Sequence, residues 1–478
     1  MAAKVQHFLE LSKFLEDKES VCRDFLSLLD VLRIGNTLEK LEMEKEKGVS
    51  SKDLLKCLLV FRLCGLSIYQ SSLQDFGNMV DGGKNQFYRF LNRKNMDWRR
   101  LLLSVTKSVV RKIVKESEDA SLSDWKYAII DDSTLGKTGF TIEGVTKVYD
   151  HVSKQYVLGY KLNTLALTDG KTTLPIDFAL HCEEHKDKMG GLTKKQKANR
   201  HKTKREEGDC TNARISEMTG KKTDVSIQML RRAWKNGFRP EYLLIDKWYC
   251  NHSFISEVRK IGNGGIHVVT LLRDKRVKFV VNGKTKSAKM LCKEHETDLH
   301  QCRKYKCRYV RVDADWNGMP VRLFLVRYKH STEWEVLLTT DMKLTFVKAF
   351  ETYQQRWNIE VLFGECKRHL DLGGCQSTNL NAQLADCTLV FIGYSVIALR
   401  KRFSDYETWG ALFRDIQRDL IQLTLIERLL PMIEQIIEAV AGLCDMPLIE
   451  LMERLTTDDN TQAKILFLLK NYQQFKDQ

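Results

Sequence analysis

Proline is scarce in this chain: five residues in 478, and none in residues 1–120. So few breakers predict an ordered, helix-rich protein rather than a string of linkers. Long apolar runs are also lacking. The longest, Cys387 to Leu399, is interrupted by Gly393 and Ser395 and stops at Arg400, Lys401 and Arg402. It is too short to span a bilayer and predicts a buried core helix. Met1 to Lys18 holds no uninterrupted apolar stretch and no small-residue cleavage site, which argues against a secretory leader. No GxxxxGK loop occurs, so nothing indicates ATP use. The 13 cysteines are odd in number and scattered, which suits a reducing compartment better than a disulfide framework. The expectation is a cytoplasmic protein with no membrane partner.

What the chain has in excess is positive charge. Lys and Arg number 77 against 62 Asp and Glu, a net charge of +15. Such a balance favours polyanionic partners, nucleic acid above all. Cations are dense at Lys186 to Lys222, where Lys194, Lys195, Lys197, Arg200, Lys202, Lys204 and Arg205 stand with little apolar content. This segment reads either as a mobile loop that orders on a polyanion or as a surface insertion.

Periodicity divides the chain. Residues 1–120 predict a helical domain, with a helix over Ser50 to Leu63 capped by its Ser-Ser-Lys-Asp start. Asn85 to Lys112 interleaves aromatics with cations, Arg89 among them, which suits DNA backbone or simply an amphipathic helix with core aromatics. From Trp125 strands take over: Tyr127 to Ile130, Thr146 to Tyr149, Tyr156 to Ala166 and Thr173 to Leu180. A helix over Asp224 to Asn236 then precedes strands at Tyr242 to Ile245 and His267 to Leu272. Residues 274–343 are β-rich, with hairpin signals at Asn282-Gly283 and Asn317-Gly318. A helix from about Thr345 to His369 follows, and helices continue to the end.

The chemistry gathers at acids on strand ends and on that helix. Tyr127 to Ile130 runs into Asp131-Asp132, and Tyr242 to Ile245 runs into Asp246. On the following helix Tyr353, Arg356, Glu360 and Lys367 fall within an arc of roughly 60° at about 100° per residue. A strand-end aspartate is often only a cap, and a charged helix face is often only solvated. Three converging carboxylates are different, because like charges raise one another's pKa. They suit two Mg²⁺ ions, with Mn²⁺ as a substitute, and hence phosphodiester cleavage. The flanking cations suit phosphates held beside them. A second set, Cys292, His295, Cys302 and Cys307, has loose zinc-like spacing, for which free thiols are the simpler reading.

Tyr353-x2-Arg356-x3-Glu360-x6-Lys367 resembles the YREK signature of insertion-sequence-4-type DDE transposases, bacterial cut-and-paste enzymes. Tyr353 to Phe363 is similar to that family's core block around the glutamate. Asp131-Asp132-Ser133 is similar to its first-acid motif, which leaves Asp131 or Asp132 as the ligand, with the spacing favouring Asp131. Asp246-Lys247-Trp248-Tyr249 resembles the second, with Trp248 where glycine is common. The resemblance covers about 125–375. It implies an α/β protein whose RNase H-like catalytic domain (121–273 and 344–375) is interrupted by a β-rich insertion (274–343). Helical domains flank it, at 1–120 for DNA binding and at 376–478 for dimerisation, with Leu420 to Leu430 and Ile433 to Ala441 apolar enough to serve. It also implies that Asp131, Asp246 and Glu360 hold two metals, and that Tyr353, Arg356 and Lys367 grip phosphates. Lys247 and Arg89 join the expected DNA contacts, and Trp316 or Trp334 would stack on a flipped base. Double-stranded DNA, terminal inverted repeats and target DNA would be the partners, in a homodimeric synapse. Two alternatives stand beside this: a DNA-binding descendant without catalysis, and an RNase H-like nuclease.

Overall fold

The apolar strands predicted after Trp125 belong to a twelve-stranded sheet in the computed structural model of this chain. The structure describes residues 27–418 except 46, 74–82, 95, 119, 184–190, 330 and 332, together with 439–443 and 446–447. Residues 28–412 make one compact unit, and residues 1–27 with 413–478 make another. In the second unit the described residues are helical at 413–418 and 439–443. Leu420 to Leu430 and residues 433–438, expected at a dimer interface, lie outside the described residues.

In the first unit helices α1 (Ile34–Lys40), α2 (Ser51–Leu63), α3 (Ile68–Leu73), α4 (Asn85–Leu91) and α5 (Trp98–Glu116) come before the sheet. Ser50 caps α2 by accepting from the Asp53 N–H at 3.0 Å, as its sequence predicts. Three of the four aromatics of the 85–98 stretch are core: Phe87, Phe90 and Trp98 are buried, while Tyr88 and Arg89 are exposed on α4.

Strands β1 (Tyr127–Gly136), β2 (Thr146–Asp150), β3 (Gln155–Thr168) and β4 (Thr173–His181) follow. Helices α6 (Lys194–Ala198), α7 (Cys210–Thr219) and α8 (Lys222–Lys235) lead on to β5 (Tyr242–Ile245), α9 (His252–Lys260) and β6 (His267–Leu271). The strand order β4-β3-β1-β5-β6 has β3 antiparallel to β1, while β1, β5 and β6 run parallel. This mixed α/β arrangement is consistent with a DDE or RNase H-like fold. Ile129, Ile130, Leu243, Leu244, Ile245, Val268 and Val269 are fully buried, so these strands need cover on both faces.

Three expectations change here. The segment predicted as a basic loop is folded over α6 and α7, because Arg214 and Glu217 of α7 are buried partners in an ion network and Arg205 pairs with Glu143 at 2.7 Å. Residues 186–190 of that segment lie outside the described residues. The β-rich insertion does not stand apart. Its strands β7 (Lys278–Val281) and β8 (Lys284–Ser287), helix α10 (Ala288–Glu294) and strands β9 (His300–Cys302), β10 (Cys307–Trp316), β11 (Met319–Tyr328) and β12 (Trp334–Thr339) extend the same sheet. The join is β12 against β6, with Leu337 opposite Leu271 and Thr339 opposite Val269. Both hairpin signals are real: Asn282 and Gly283, then Asn317 and Gly318, all take positive φ at two-residue turns.

The third change is in the last helices, α11 (Phe346–Gln354), α12 (Asn358–His369) and α13 (Leu380–Arg402). The helix predicted over 345–369 is broken by a 3₁₀ turn at Gln355–Trp357. Helix α13 exceeds the apolar run seen in the sequence and is by length and composition able to cross a bilayer, yet its apolar stretch is wholly buried within the protein. It packs on α5, α2 and β4, so residues 380–402 belong to the core of the first unit and not to a separate C-terminal region.

The sheet and its helices are tied by one buried cluster. Asp177 on β4 accepts from Arg99 of α5 at 2.9 Å and from Arg232 of α8 at 2.9 Å, with Arg214 of α7 at 3.6 Å. Burial pushes the Asp177 carboxyl up, but the three guanidiniums outweigh it and hold its pKa low. Asp177→Ala leaves those cations buried without their shared partner and is expected to destabilise the fold by about 3–5 kcal/mol. Denaturant unfolding that changes by less than about 1 kcal/mol would contradict this.

Candidate active site

The parallel ladder between β1 and β5 sets the site. Ile130 stands opposite Ile245, so the residues that follow, Asp131 and Asp246, leave neighbouring strands at the same level. β1 does not end at its acids, as the sequence suggested, but continues to Gly136 along β3. The acids sit where the β5 partner stops and the sheet opens. Asp246 caps the short turn Lys247–Tyr249, its carboxylate accepting from the Trp248 N–H at 3.2 Å. Trp248 is absent from the residues with positive φ, so this turn has no need of glycine.

Adjacent strand residues point to opposite faces, and this separates the two aspartates. Asp132 meets Lys222 of α8 at 2.7 Å and Lys161 of β3 at 3.6 Å. Burial raises its pKa, but the two ammoniums outweigh burial and the net shift is downward. Asp131 faces the other acids instead. Burial first, then the Asp132 charge, push its pKa up to about 7 against the opposing Asp132 N–H and Arg356, and Asp246 adds to the rise. Of the two candidates, Asp131 is therefore the one that shares a field with Asp246.

Arg356 joins the third acid to the first. Carried on the 3₁₀ turn, it donates to Asp131 Oδ2 at 3.1 Å and to Glu360 Oε1 at 2.6 Å. Its Nε is buried and makes no hydrogen bond, so the two carboxylates leave the guanidinium partly unsatisfied. Tyr353 lies beside Arg356, with the guanidinium 5.8 Å from its ring centroid, and burial drives its phenol pKa far up. The break between α11 and α12 is what lets Arg356 reach back to β1 while Glu360 stays on the first turn of α12.

The remaining sequence-predicted residues are scattered around this centre. Lys367, two turns along α12, has its amine pKa lowered by desolvation, with Asp150 opposing and Lys161 adding. Lys247 is exposed and has no ion pair among the described residues. Trp316 is no stacking platform: it is 5% exposed and packs edge-on to His252 and against Phe279 at ring distances of 5.5 and 5.4 Å. Trp334 is half-buried under Arg327. The exposed tryptophans are others, Trp248 at 41% and Trp357 at 61%. They flank Asp246 and Arg356 in sequence, so their position beside the motifs was the available signal. Arg89 lies on α4, a helix remote in sequence from the acids.

Cys302 and Cys307 face each other across β9 and β10, and burial followed by the Cys302 thiol pushes Cys307 up to about 11. Cys292 is buried on α10. Among the described residues no group of three or more His, Cys, Asp or Glu stands close enough to hold a metal ion. For the sulfur set this leaves thiols. Among the acids, the Arg356 guanidinium lies between Asp131 and Glu360. Their donor chemistry still fits a hard cation: three carboxylates, one of them pushed up to about 7 by burial and then by neighbouring charge, with an incompletely bonded guanidinium between two of them.

Two family models match this chain. One, described as DDE superfamily endonuclease, covers residues 65–286 and so takes in Asp131 and Asp246. The other, described as transposase DDE domain, covers residues 208–396 and takes in Asp246 and Glu360. These matches support a DDE transposase, a nucleic-acid-cleaving enzyme. No curated protein matches the chain.

The raised Asp131 pKa has a consequence for stability. Between its ordinary value of 3.8 and about 7 the folded state binds more protons than the unfolded one. Stability from this group is thus present at low pH and lost as pH rises through that window. Relative to Asp131→Asn, the wild-type melting temperature is expected to fall behind steadily from pH 4 to pH 7 and to level off above. Mg²⁺ added at high pH should recover it in the wild type alone. A difference that is flat with pH would place Asp131 in an ordinary solvated setting.

Proposed function

We propose that this chain is a DDE transposase of the insertion-sequence-4 type, cutting DNA at the ends of its element and joining those ends to target DNA. The observation that carries the reading is the arrangement of the acids: Asp131 and Asp246 level on parallel strands, with Glu360 linked to Asp131 through Arg356. Asp131, Asp246 and Glu360 are the residues that would hold the two divalent ions, Mg²⁺ or Mn²⁺. Such ions, when bound, supply an activated oxygen nucleophile and charge stabilisation at the leaving oxygen.

The chain's own residues do the rest. Arg356 neutralises the Asp131 and Glu360 carboxylates, and on leaving them its planar fork would become available to a phosphate. Tyr353 packs beside Arg356 and fixes its approach. Lys367, two turns beyond Glu360 on α12, and Lys247, next to Asp246 in sequence, offer further exposed cations, and Trp248 and Trp357 present exposed aromatic surface close to the motifs in sequence. The protein would act in the cytoplasm on double-stranded DNA carrying terminal inverted repeats, with two chains bringing two ends together and hairpin ends as intermediates.

One observation favours a second reading, that of a binding protein without catalysis: Arg356 already satisfies two of the three acids. The test that separates them uses a plasmid carrying the gene with its native flanks, incubated with full-length protein and Mg²⁺ or Mn²⁺. Double-strand breaks at both element boundaries are expected, and Glu360→Gln should abolish them while still retarding end DNA. Retardation without breaks in the wild type would favour the binding protein, and scattered breaks a nuclease. Lys367→Ala should keep cleavage chemistry but flatten the salt dependence of end binding by about one logarithmic unit, the contribution of one phosphate contact. An unchanged slope would remove Lys367 from the DNA contacts.

A further inference from the structure

Helix α12 carries Glu360 in its first turn and Lys367 in its last, and it packs on β1, the strand that carries Asp131. Two sets of contacts hold this pair together. One is at the acids, where Arg356, just before α12, spans Asp131 and Glu360. The other is at the far end. Lys137, the residue that follows β1, is buried. Its amine donates to the Gly373 carbonyl at 2.8 Å and to the Cys375 carbonyl at 2.6 Å, both in the turn directly after α12.

The far contact is a seam rather than a single bond. The Thr138 N–H and hydroxyl both donate to the Gln376 side-chain carbonyl, at 3.2 and 3.1 Å. The Glu143 N–H donates to the Thr378 carbonyl at 2.8 Å, and the Glu143 carboxylate accepts from the Leu380 N–H at 3.0 Å. Gly373 takes φ 100°, and a Cβ there would stand 3.4 Å from the Leu135 side chain, so the turn lies directly on β1. Arg62 of α2 holds the same turn by donating to the Asp371 carbonyl at 3.2 Å. An amine is a costly tie in such a place, because desolvation penalises its charge and lowers the Lys137 pKa. Carbonyls beyond the C-terminal end of a helix, where partial negative charge gathers, offset part of that penalty. What the amine adds is direction, since satisfied buried hydrogen bonds fix one geometry where apolar packing tolerates several.

The Arg356 link uses the oxygens of the acids themselves, so whatever Asp131 and Glu360 bind competes with it. The Lys137 link uses backbone carbonyls and touches none of the three acids. We propose that Lys137 is a positioning residue of the acid centre: by locking the turn after α12 to the end of β1, it holds Glu360 against Asp131 when a divalent cation, rather than Arg356, engages the carboxylates. This role rests on the reading of the three acids as a metal site. Ligands must be held to within about 0.5 Å for a chelate to keep its affinity, and a helix fastened only through the acids has no such support once they are engaged.

The test measures Mn²⁺ binding to the full-length protein without DNA, from the paramagnetic resonance signal of free Mn²⁺, with the melting temperature alongside. Lys137→Met keeps the length of the side chain and removes the donor. It should melt lower and bind Mn²⁺ about tenfold more weakly, the lower end of what lost support around a metal site costs. Thr106→Val is the control for stability alone: it removes a 2.7 Å bond from the buried Thr106 hydroxyl to the Pro175 carbonyl, between α5 and β4. It should melt lower with wild-type Mn²⁺ affinity. Gln376→Ala, at an exposed position of the seam, should fold as the wild type does and weaken Mn²⁺ by a smaller factor. Wild-type Mn²⁺ affinity in folded Lys137→Met overturns the proposal, and if that variant does not fold, Gln376→Ala decides in its place. An equal loss of Mn²⁺ affinity in Thr106→Val reduces Lys137 to general stability and overturns it as well. A wild type that takes up no Mn²⁺, or takes it up just as Asp246→Ala does, overturns the metal reading itself.

Discussion

Repulsion among carboxylates is the constraint on which the centre of this protein depends. A single register, Ile130 opposite Ile245 in a parallel pair, places Asp131 and Asp246 at the same level of the sheet. Packing α12 over that point adds Glu360. Negative charge gathered in a half-buried place must be met by a cation, or by protonation, and the site uses both means. Asp131 has its pKa raised to about 7, and Arg356 spans Asp131 and Glu360. Asp132, one residue along, is turned by strand alternation to the face where Lys161 and Lys222 pair with it, though its charge still adds to the rise at Asp131. Two consecutive aspartates thus do different work. Asp131 belongs to the open acid group, and Asp132 anchors the first turn of α8 to the central strand.

The reach of Arg356 depends in turn on the β-rich segment. Strand β12 pairs with β6, and the chain then enters α11 within a few residues. Arg322 of β11 pairs with Asp313 of β10 and donates to the Leu344 carbonyl at 2.9 Å, just before the Thr345 cap of α11. The start of α11 is therefore set by the extension of the sheet, and the 3₁₀ break at Gln355–Trp357 sets where Arg356 and Glu360 arrive. The residues between Asp246 and Glu360 in sequence thus join the elements that carry the two acids through one continuous sheet. A segment joined through a backbone ladder transmits position as a loosely attached domain would not.

Much of this was legible in the sequence, because the signals were local. Alternation and turn residues mark β1 to β4 and both Asn-Gly hairpins. The acids after Ile130 and Ile245 mark the point where the β5 partner stops, whereas the single helical face read from Tyr353 to Lys367 is divided by the 3₁₀ turn. What was not legible depended on partners far along the chain. The burial of Trp316 follows from Phe279 and His252, brought to it by strand pairing and the docking of α9. The folding of Cys210–Thr219 follows from Arg214 and Glu217 entering the network of Asp177. The break in the 345–369 helix has no proline or glycine to announce it.

Net charge illustrates the same limit from the other side. An excess of +15 says that polyanions are attracted but not where. Location depends on which cations are already matched, and the matches span long stretches of chain: Arg99 with Asp177, Arg205 with Glu143, Lys222 with Asp132. Those cations are held inside, at fixed carboxylates, and add little to the outer field. Lys247, beside the acids, is instead exposed and has no ion pair among the described residues. Arg356 lies between the two classes. It is matched to Asp131 and Glu360 by two hydrogen bonds, while its buried Nε has none. One guanidinium cannot serve both carboxylates and a further anion at once, so any group that engages Arg356 competes with Asp131 and Glu360 for it.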